Sequence, residues 1–398
     1  MKYLCVIPSY YPALQFGGSV TAIHALNTAL ARAGVDVTVY TTDAGLKGRV
    51  VTGREMAVNG VKVTYFDYQR GFDFLGQTGW HFSLPLTGSL FGKVKEADIV
   101  YLPAIWNYPT LAAAVCCRVH KKPYVIAPHG SLYPFTFGKK SWKKRPYYQM
   151  ISKRVIRGAA AVHYTTEDEK EKTSANFGLN GSSIVVPNGQ DHSEFKTLPD
   201  PEPLYRRYPE LKGKKVVLFL GRINWKKGLD LLAEGFSLAA GKIPGMHLLI
   251  AGPDEDGYER KIRSILERMG ALGATTFTGN LTGDDRLRAF AVSRVFVLPS
   301  YSENFGMSVI EAMAAGVPVI VSDNVGIHCE IAENHAGLVI GCNAGEVAEN
   351  MIKLLENDRL SDELAANAAT MVEEYYDLGK VAQKMAGELQ KIILRANK

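Results

Sequence analysis

Twice along this chain, short β-branched apolar segments alternate with segments whose apolar residues recur every three or four positions. The first set of apolar segments is YLCVIPS (3–9), VDVTVYTT (35–42), ADIVYLPA (97–104), PYVIAPHG (123–130) and AAVHYTT (160–166). Between them, VTAIHALNTALARAG (20–34) and LAAAVCCRVHKK (111–122) have helical spacing. The pattern then restarts with KKVVLFLGRI, MHLLIAGP, TTFTGNL, VFVLPS, VPVIVSD and AGLVIG. The helical segments of this second set are LDLLAEGFSLAAG, YERKIRSILERMG, DDRLRAFAVS and SVIEAMAAG. Continuous apolar runs are strands buried on both faces, and strand–helix alternation predicts a parallel sheet covered by helices. The fold class is therefore α/β, with two doubly wound, Rossmann-like domains. A chain of 398 residues is also too long for one ordinary core. The alternation lapses in VPNGQDHSEFKTLPDPEPLYRRYPELKGKK (186–215), which has Pro, Gly and charge but no period. The expected domains are 1–195 and 196–376. The amphipathic end, about 377–398, is expected to pack back on the first.

Several classes are disfavoured. No apolar run approaches the roughly 20 residues that cross a bilayer. MKYLCVIPSYYP (1–12) has one lysine and breaks at Pro8, which suits a first strand rather than a signal peptide. The five cysteines (Cys5, Cys116, Cys117, Cys329, Cys342) show no CxxC spacing. They read as reduced thiols of a cytoplasmic protein, with no metal site. Charge is uneven: residues 1–195 hold 22 Lys/Arg against 13 Asp/Glu, and the remainder 24 against 27, so +9 and −3 make the net +6. Much of the excess lies in Lys139–Arg157, where basic and aromatic residues alternate. That pattern suits a solvated helix face or peripheral contact with an anionic membrane at its inner face. It offers no base-stacking platform for nucleic acid.

Ligands of doubly wound sheets lie beyond the carboxyl ends of the strands. After the first strand, Gly17 and Gly18 precede a helix, where backbone N–H groups meet an anion or form a plain turn. The pattern is not GxGxxG, and no acid closes the second strand, so a dinucleotide site is not expected there. After the first strand of the second set, LGRINWKKGLD places Arg222 and Lys227 at a strand end, while Trp225 and Lys226 are expected to face solvent. Two cations in a cleft need anionic company, and a diphosphate supplies it. Further on, Glu303 and Glu311 flank Gly306 and a helix starting near Met307 or Ser308. Carboxylates accept paired hydrogen bonds from diols. Glu303 suits hexose hydroxyls and Glu311 a ribose diol, though a helix-dipole role for Glu311 stays open. The set fits a sugar–diphosphate–nucleoside.

ENFGMSVIE and GRINWKKG resemble the glutamate–seven–glutamate motif and the Arg/Lys diphosphate element of glycosyltransferase family 4, retaining enzymes of the GT-B fold. Gly17–Gly18, the PHG at Pro128–Gly130 and VPNGQD at 186–191 stand where that family places them, so the resemblance covers nearly the whole chain. It implies that two domains face across a cleft, the second holding a nucleotide-sugar donor and the first the acceptor. Arg222 and Lys227 would hold the diphosphate, with Gly18 adding a backbone N–H. Glu311 would bind ribose. Glu303, with the backbone of Asn304, Phe305, Gly306, Met307 and Ser308, would bind the sugar. Asn280 and Leu281 would border the base, and His129 would sit near the anomeric carbon on the acceptor side. A turn histidine bonded to backbone is its structural alternative. The Asp254-Glu255-Asp256 triplet resembles the metal motif of a different glycosyltransferase fold but reads as a helix start. In this family the protein's cations replace the metal, so no cofactor is required.

Tyr10, Tyr11, the stretch 72–82 and Trp106-Asn107 are candidate acceptor contacts, or core. The expected activity is retaining transfer of a hexosyl group from UDP-glucose or a similar UDP-hexose. The acceptor would be a glycan or a lipid-linked glycan in surface polysaccharide synthesis. UDP is favoured because no acidic residue is placed to select guanine. A nucleotide-sugar epimerase of the same fold, or a non-catalytic binding relative, remain alternatives.

Overall fold

The computed structural model describes residues 1–70, 79–138, 141–179, 181–254 and 257–396. The chain forms two compact units, Met1–Gly189 with Leu378–Lys398, and Gln190–Asp377. The seam lies before residue 195, because Phe195 is 3% exposed and belongs to the core of the second unit.

The first unit is built on strands β1 (Lys2–Val6), β2 (Asp36–Thr42), β3 (Glu55–Val58), β4 (Val61–Phe66), β5 (Ile99–Leu102), β6 (Tyr124–Ile126), β7 (Ala161–Tyr164) and β8 (Ser183–Val185). They form one sheet in the order β3-β4-β2-β1-β5-β6-β7-β8. All pairs are parallel except β3–β4. That hairpin departs from an all-parallel expectation. It turns at Asn59-Gly60, both at positive φ (51° and 84°), the backbone that Asn-Gly adopts at least cost. Alternate residues of β1 serve both faces of the sheet. Tyr3 and Cys5 join a core with the helix Gly18–Arg32 and the C-terminal helix Leu378–Ala396. Leu4 and Val6 join a second core with helices Leu84–Glu96 and Tyr108–Val119.

The second unit has β9 (Lys215–Leu220), β10 (Met246–Ala251), β11 (Thr275–Gly279), β12 (Ser293–Leu298), β13 (Val319–Ser322) and β14 (Leu338–Ile340). Their order is β11-β10-β9-β12-β13-β14, all parallel. These are the six strands read from the apolar runs. Strand order reverses beside β1 in the first unit and beside β9 in the second. Loops after β1 and β5, and after β9 and β12, therefore diverge from adjacent strands and leave a crevice.

Candidate functional site

At the switch point of the second unit, segments 221–228 and 299–306 run side by side. Tyr301 donates its backbone N–H to the Lys226 carbonyl (2.8 Å). Gly228 has φ 65°, and a Cβ there would stand 1.9 Å from the Pro299 carbonyl oxygen. Only glycine allows that approach. The close contact brings the Lys227 ammonium onto Oε2 of Glu303. Glu303 is itself fixed from a third strand end: its N–H donates to Asn324 O (3.0 Å) and its carbonyl accepts from Gly326 N (2.9 Å). Gly306 (φ 92°) then opens the helix Met307–Ala314, whose first N–H groups have no intrahelical acceptor.

Burial pushes the Glu303 carboxyl up, but Lys227, with Arg222 and Lys226, holds it below the usual carboxylate range. Glu311 goes the other way. Burial raises it above the usual range, nearby Glu194 adds to the rise, and Arg286 offsets only part. Arg286, from the helix Asp284–Ala291, places Nη1 2.5 Å from Glu311 Oε1 and Nη2 2.9 Å from Glu194 Oε2. Its guanidinium stands 5.5 Å from the centre of the Phe195 ring. Trp225 and Lys226 are half-buried rather than solvent-facing, the Lys226 ammonium standing 5.9 Å from the centre of the Trp225 ring.

In the first unit, His129 and Gly130 turn with φ 48° and 70°. The turn is held by Glu169, 0% exposed, whose Oε1 accepts from Gly130 N (2.6 Å). Oε2 of Glu169 accepts from Thr165 N and Oγ1 (2.8 and 2.9 Å). Burial, reinforced by His163, lowers His129 to about 3, so its imidazole is neutral. Its Nε2 is buried without a hydrogen-bond partner among the described residues. His163 bonds Tyr101 OH and Val186 O (both 2.8 Å). Since Nε2–H must donate to the carbonyl, Nδ1 accepts from the tyrosine.

A cavity of about 530 Å³ opens where β1 and β5 diverge, lined by Ser9, Phe16, Ser19, Tyr68, His81 and Trp106 among others. Gly17 (φ 89°) turns the chain into the helix that starts at Gly18, and a Cβ on Gly18 would meet open space. Trp106 packs at 6.1 Å and 5.7 Å from the rings of Phe137 and Tyr147. Its Nε1 is buried with no hydrogen-bond partner among the described residues.

Matches to known proteins follow the same division. Residues 17–189 match the model of a glycosyl transferase 4-like domain, and residues 202–371 match glycosyl transferases group 1. The chain belongs to this glycosyl transferase family. Mannosylfructose-phosphate synthase of Agrobacterium fabrum is 30% identical over 254 residues, 62% of this chain and 55% of the relative. Sulfoquinovosyl transferase of Arabidopsis thaliana is 34% identical over 307 residues, 75% and 54%. These matches span little more than half the length of those relatives. Among solved structures, Anabaena HepE with UDP and glucose superposes with TM-score 0.74 at 19% identity, covering 98% of this chain and 100% of that one. The transferase fold is thus GT-B.

The second unit brings together Lys227, Glu303, Gly306, Met307 and Ser308, with Arg222 close enough to act on the Glu303 charge. Several expected contacts are placed differently. Tyr10 is 0% exposed, its hydroxyl bonded to His24 Nδ1 (3.0 Å) and Asn27 Nδ2 (3.3 Å), so it is core and not an acceptor contact. Asn107 caps the helix Tyr108–Val119, its Oδ1 accepting from Thr110 N (2.9 Å). Leu281 (8% exposed) and Phe305 (2%) point into the second core, Phe305 edge-on to Tyr376, which leaves only their backbone for a ligand. Asn280 is exposed beyond β11. Asp254 accepts from Tyr258 N (2.8 Å) at a helix start. Glu255, Asp256 and 72–78 lie outside the described residues, as do Lys139 and Lys140. Among the described residues no cluster of three or more His, Cys, Asp or Glu forms a metal site, and no helix is long and apolar enough to cross a membrane.

Arg286 and Glu169 were missed. A charged residue in DDRLRAFAVS reads as solvated surface, and Glu169 in TTEDEKEK is one acid among several. The available signal for Glu169 was its position three residues after the N-cap threonine Thr166.

Proposed function

We propose that the chain is a retaining glycosyltransferase that moves a hexosyl group from a UDP-hexose, UDP-glucose first, to a glycan or lipid-linked glycan. The observation that carries the proposal is the meeting of Lys227 with Glu303 at the adjoining ends of β9 and β12, beside Arg222 and a helix start. In the second unit, the donor-binding one, the diphosphate draws Lys227 from Glu303 and forks with Arg222. Backbone N–H groups at Met307–Ser308 assist. Glu303, released, accepts from sugar hydroxyls, and Glu311 accepts from the ribose diol.

The leaving diphosphate takes the acceptor proton as the new bond forms on the same face. Arg222 and Lys227 stabilise the charge that develops on it. His129, on the acceptor side, is a neutral hydrogen-bonding group, since its depressed basicity does not suit proton uptake. The first unit takes the acceptor, its sugar face against the aromatic groups of the cavity beside β1. Trp142 and Met150 stand 72% and 65% exposed among Lys144, Arg145, Lys153 and Arg154. These residues form the peripheral contact with anionic lipid, at the cytoplasmic face of the membrane where surface polysaccharide precursors are assembled.

Titration calorimetry of the full chain with UDP, GDP, ADP and UDP-glucose in EDTA tests the proposal. Tight binding of UDP and UDP-glucose is expected, and silence with all four would overturn it.

A further inference from the structure

Glu311 is an expensive residue where it stands. Its side chain is 16% exposed, and it lies beyond the first turn of the helix Met307–Ala314, where the helix dipole would favour an acid. Its partner Arg286 has a second carboxylate, Glu194, whose side chain is 49% exposed. Arg286 therefore does not need Glu311 to be neutralised. Three elements distant in sequence (the turn His192–Phe195 and the helices Asp284–Ala291 and Met307–Ala314) supply the cluster. The guanidinium fork is spread between the two acids over the Phe195 ring, a geometry a lysine cannot reproduce. The ion pair to Glu311 engages Oε1, and among the described residues no hydrogen bond to Oε2 is found.

We infer that Arg286 is a positioning residue: by gripping Oε1 of Glu311 it presents that carboxylate to the two vicinal hydroxyls of a ribose, and so makes the site select ribonucleoside over 2′-deoxyribonucleoside diphosphates. The inference rests on the proposed assignment of Glu311 to the ribose. A charged carboxylate accepts from both hydroxyls, whereas a protonated one keeps a hydroxyl of its own and loses an acceptor site. Burial favours the protonated form, and Arg286 is the group that opposes it. Selection against a missing 2′-hydroxyl then follows from a buried acceptor left without its donor.

The experiment is calorimetric titration of the full chain with UDP and with 2′-deoxy-UDP, for the wild type, Arg286→Met and Arg286→Lys, with a melt of each. The wild type is expected to prefer UDP by roughly 10- to 100-fold, the range for one hydrogen bond to a charged group. Arg286→Met is expected to bring that ratio to within about threefold, chiefly by weakening UDP, with Arg286→Lys between. Equal weakening of both nucleotides, leaving the ratio intact, would mean a merely structural residue and would overturn the inference alone. Wild-type binding of UDP without preference would remove the ribose assignment and the inference with it. Failure of the wild type to bind UDP, GDP or ADP would take down the proposed function as well. Should Arg286→Met not melt cooperatively, the ratio in Arg286→Lys decides: an unchanged one overturns the inference.

Discussion

The two units share an architecture and differ in how they treat charge. Each is a sheet of parallel strands, apart from the β3–β4 hairpin of the first, whose order reverses beside its first strand, and each opens a crevice there. In the second unit the crevice and its flank are ionic: Lys227 on Glu303, Arg286 on Glu311 and Glu194. In the first unit the cavity presents aromatic rings and hydroxyls, and the histidines buried nearby, beside the buried Glu169, are held neutral. His129 is lowered to about 3 and His163 to about 4, both chiefly by burial. Both sheets reverse their strand order beside their first strand, so the difference lies in which side chains follow the strands. An ionic crevice can exchange its internal partners for a diphosphate. A neutral aromatic one offers stacking to a sugar face and no counter-charge for a phosphate.

Breaking the ionic side should have the largest effect. Lys227→Ala strips the largely buried Glu303 carboxylate of its ion-pair partner. Loss of one partner from a fully buried pair costs about 3–5 kcal/mol, and with these side chains 17% and 20% exposed the loss here is smaller, about 2 kcal/mol. A melt should show the second unit destabilised by that order, with transfer activity down more than about 100-fold as leaving-group stabilisation is lost. Lys227→Met with Glu303→Gln should restore most of the stability and none of the activity. Equal recovery of both would erase the distinction between holding the fold and holding the donor.

Acid should separate the units next. His163 titrates at about 4 in the folded protein against 6.5 unfolded. The unfolded chain therefore binds the proton first as pH falls, and stability present above 6.5 drains away down to about 4, about 2 kcal/mol of it by pH 5. In the second unit Glu311 is raised, so its folded form binds protons first, and stability there rises as pH falls through that raised value toward 4.5. Glu303, held low, costs nothing until pH passes below 4.5. Trp80, Trp106 and Trp142 lie in the first unit and Trp225 alone in the second. Tryptophan-detected melting from pH 7 to 5 should therefore follow the first unit downward. His129, lowered to about 3, and His24, lowered to about 4, act in the same direction, so His163→Gln should make the dependence shallower without abolishing it, and an unchanged slope would remove His163 as a contributor.

Strand existence was legible because fully buried parallel strands are written as continuous apolar runs, such as KVVLFL in β9 and MHLLIA in β10. The β3–β4 hairpin was not, although Asn59-Gly60 is a turn signal, because EMAV is short and half-exposed and looks like loop. Residue types at the ends of β9 and β12 were legible from their place after strands. Their partners were not. Lys227 and Glu303 are 76 residues apart, and their meeting depends on β9 lying next to β12, an order no local pattern encodes. Arg286 with Glu311 depends on the packing of two helices beyond β11 and β12. Tyr10 failed for the opposite reason. An aromatic after a strand looks available to a sugar, and only the fold shows His24 and Asn27 already holding its hydroxyl.

The smallest expected effect separates capping from recognition at Asn107. Its Oδ1 accepts from Thr110 N at the start of the helix Tyr108–Val119, while it also borders the cavity beside β1. In the second unit Asn343 does the same for the helix Ala344–Glu356, accepting from Gly345 N (2.7 Å) and Glu346 N (3.2 Å). If Asn107 is likewise a cap, Asn107→Ala should cost about 1 kcal/mol in a melt and Asn107→Ser or Asn107→Asp much less, since each supplies a capping oxygen. Nucleotide affinity and acceptor KM should stay within about twofold, because the oxygen that would reach a ligand is already spent on Thr110. A large rise in acceptor KM in the Ser and Asp variants, with stability kept, would return Asn107 to the acceptor site. It would also show that the neutral crevice recognises its sugar through the amide and not through its aromatic faces alone.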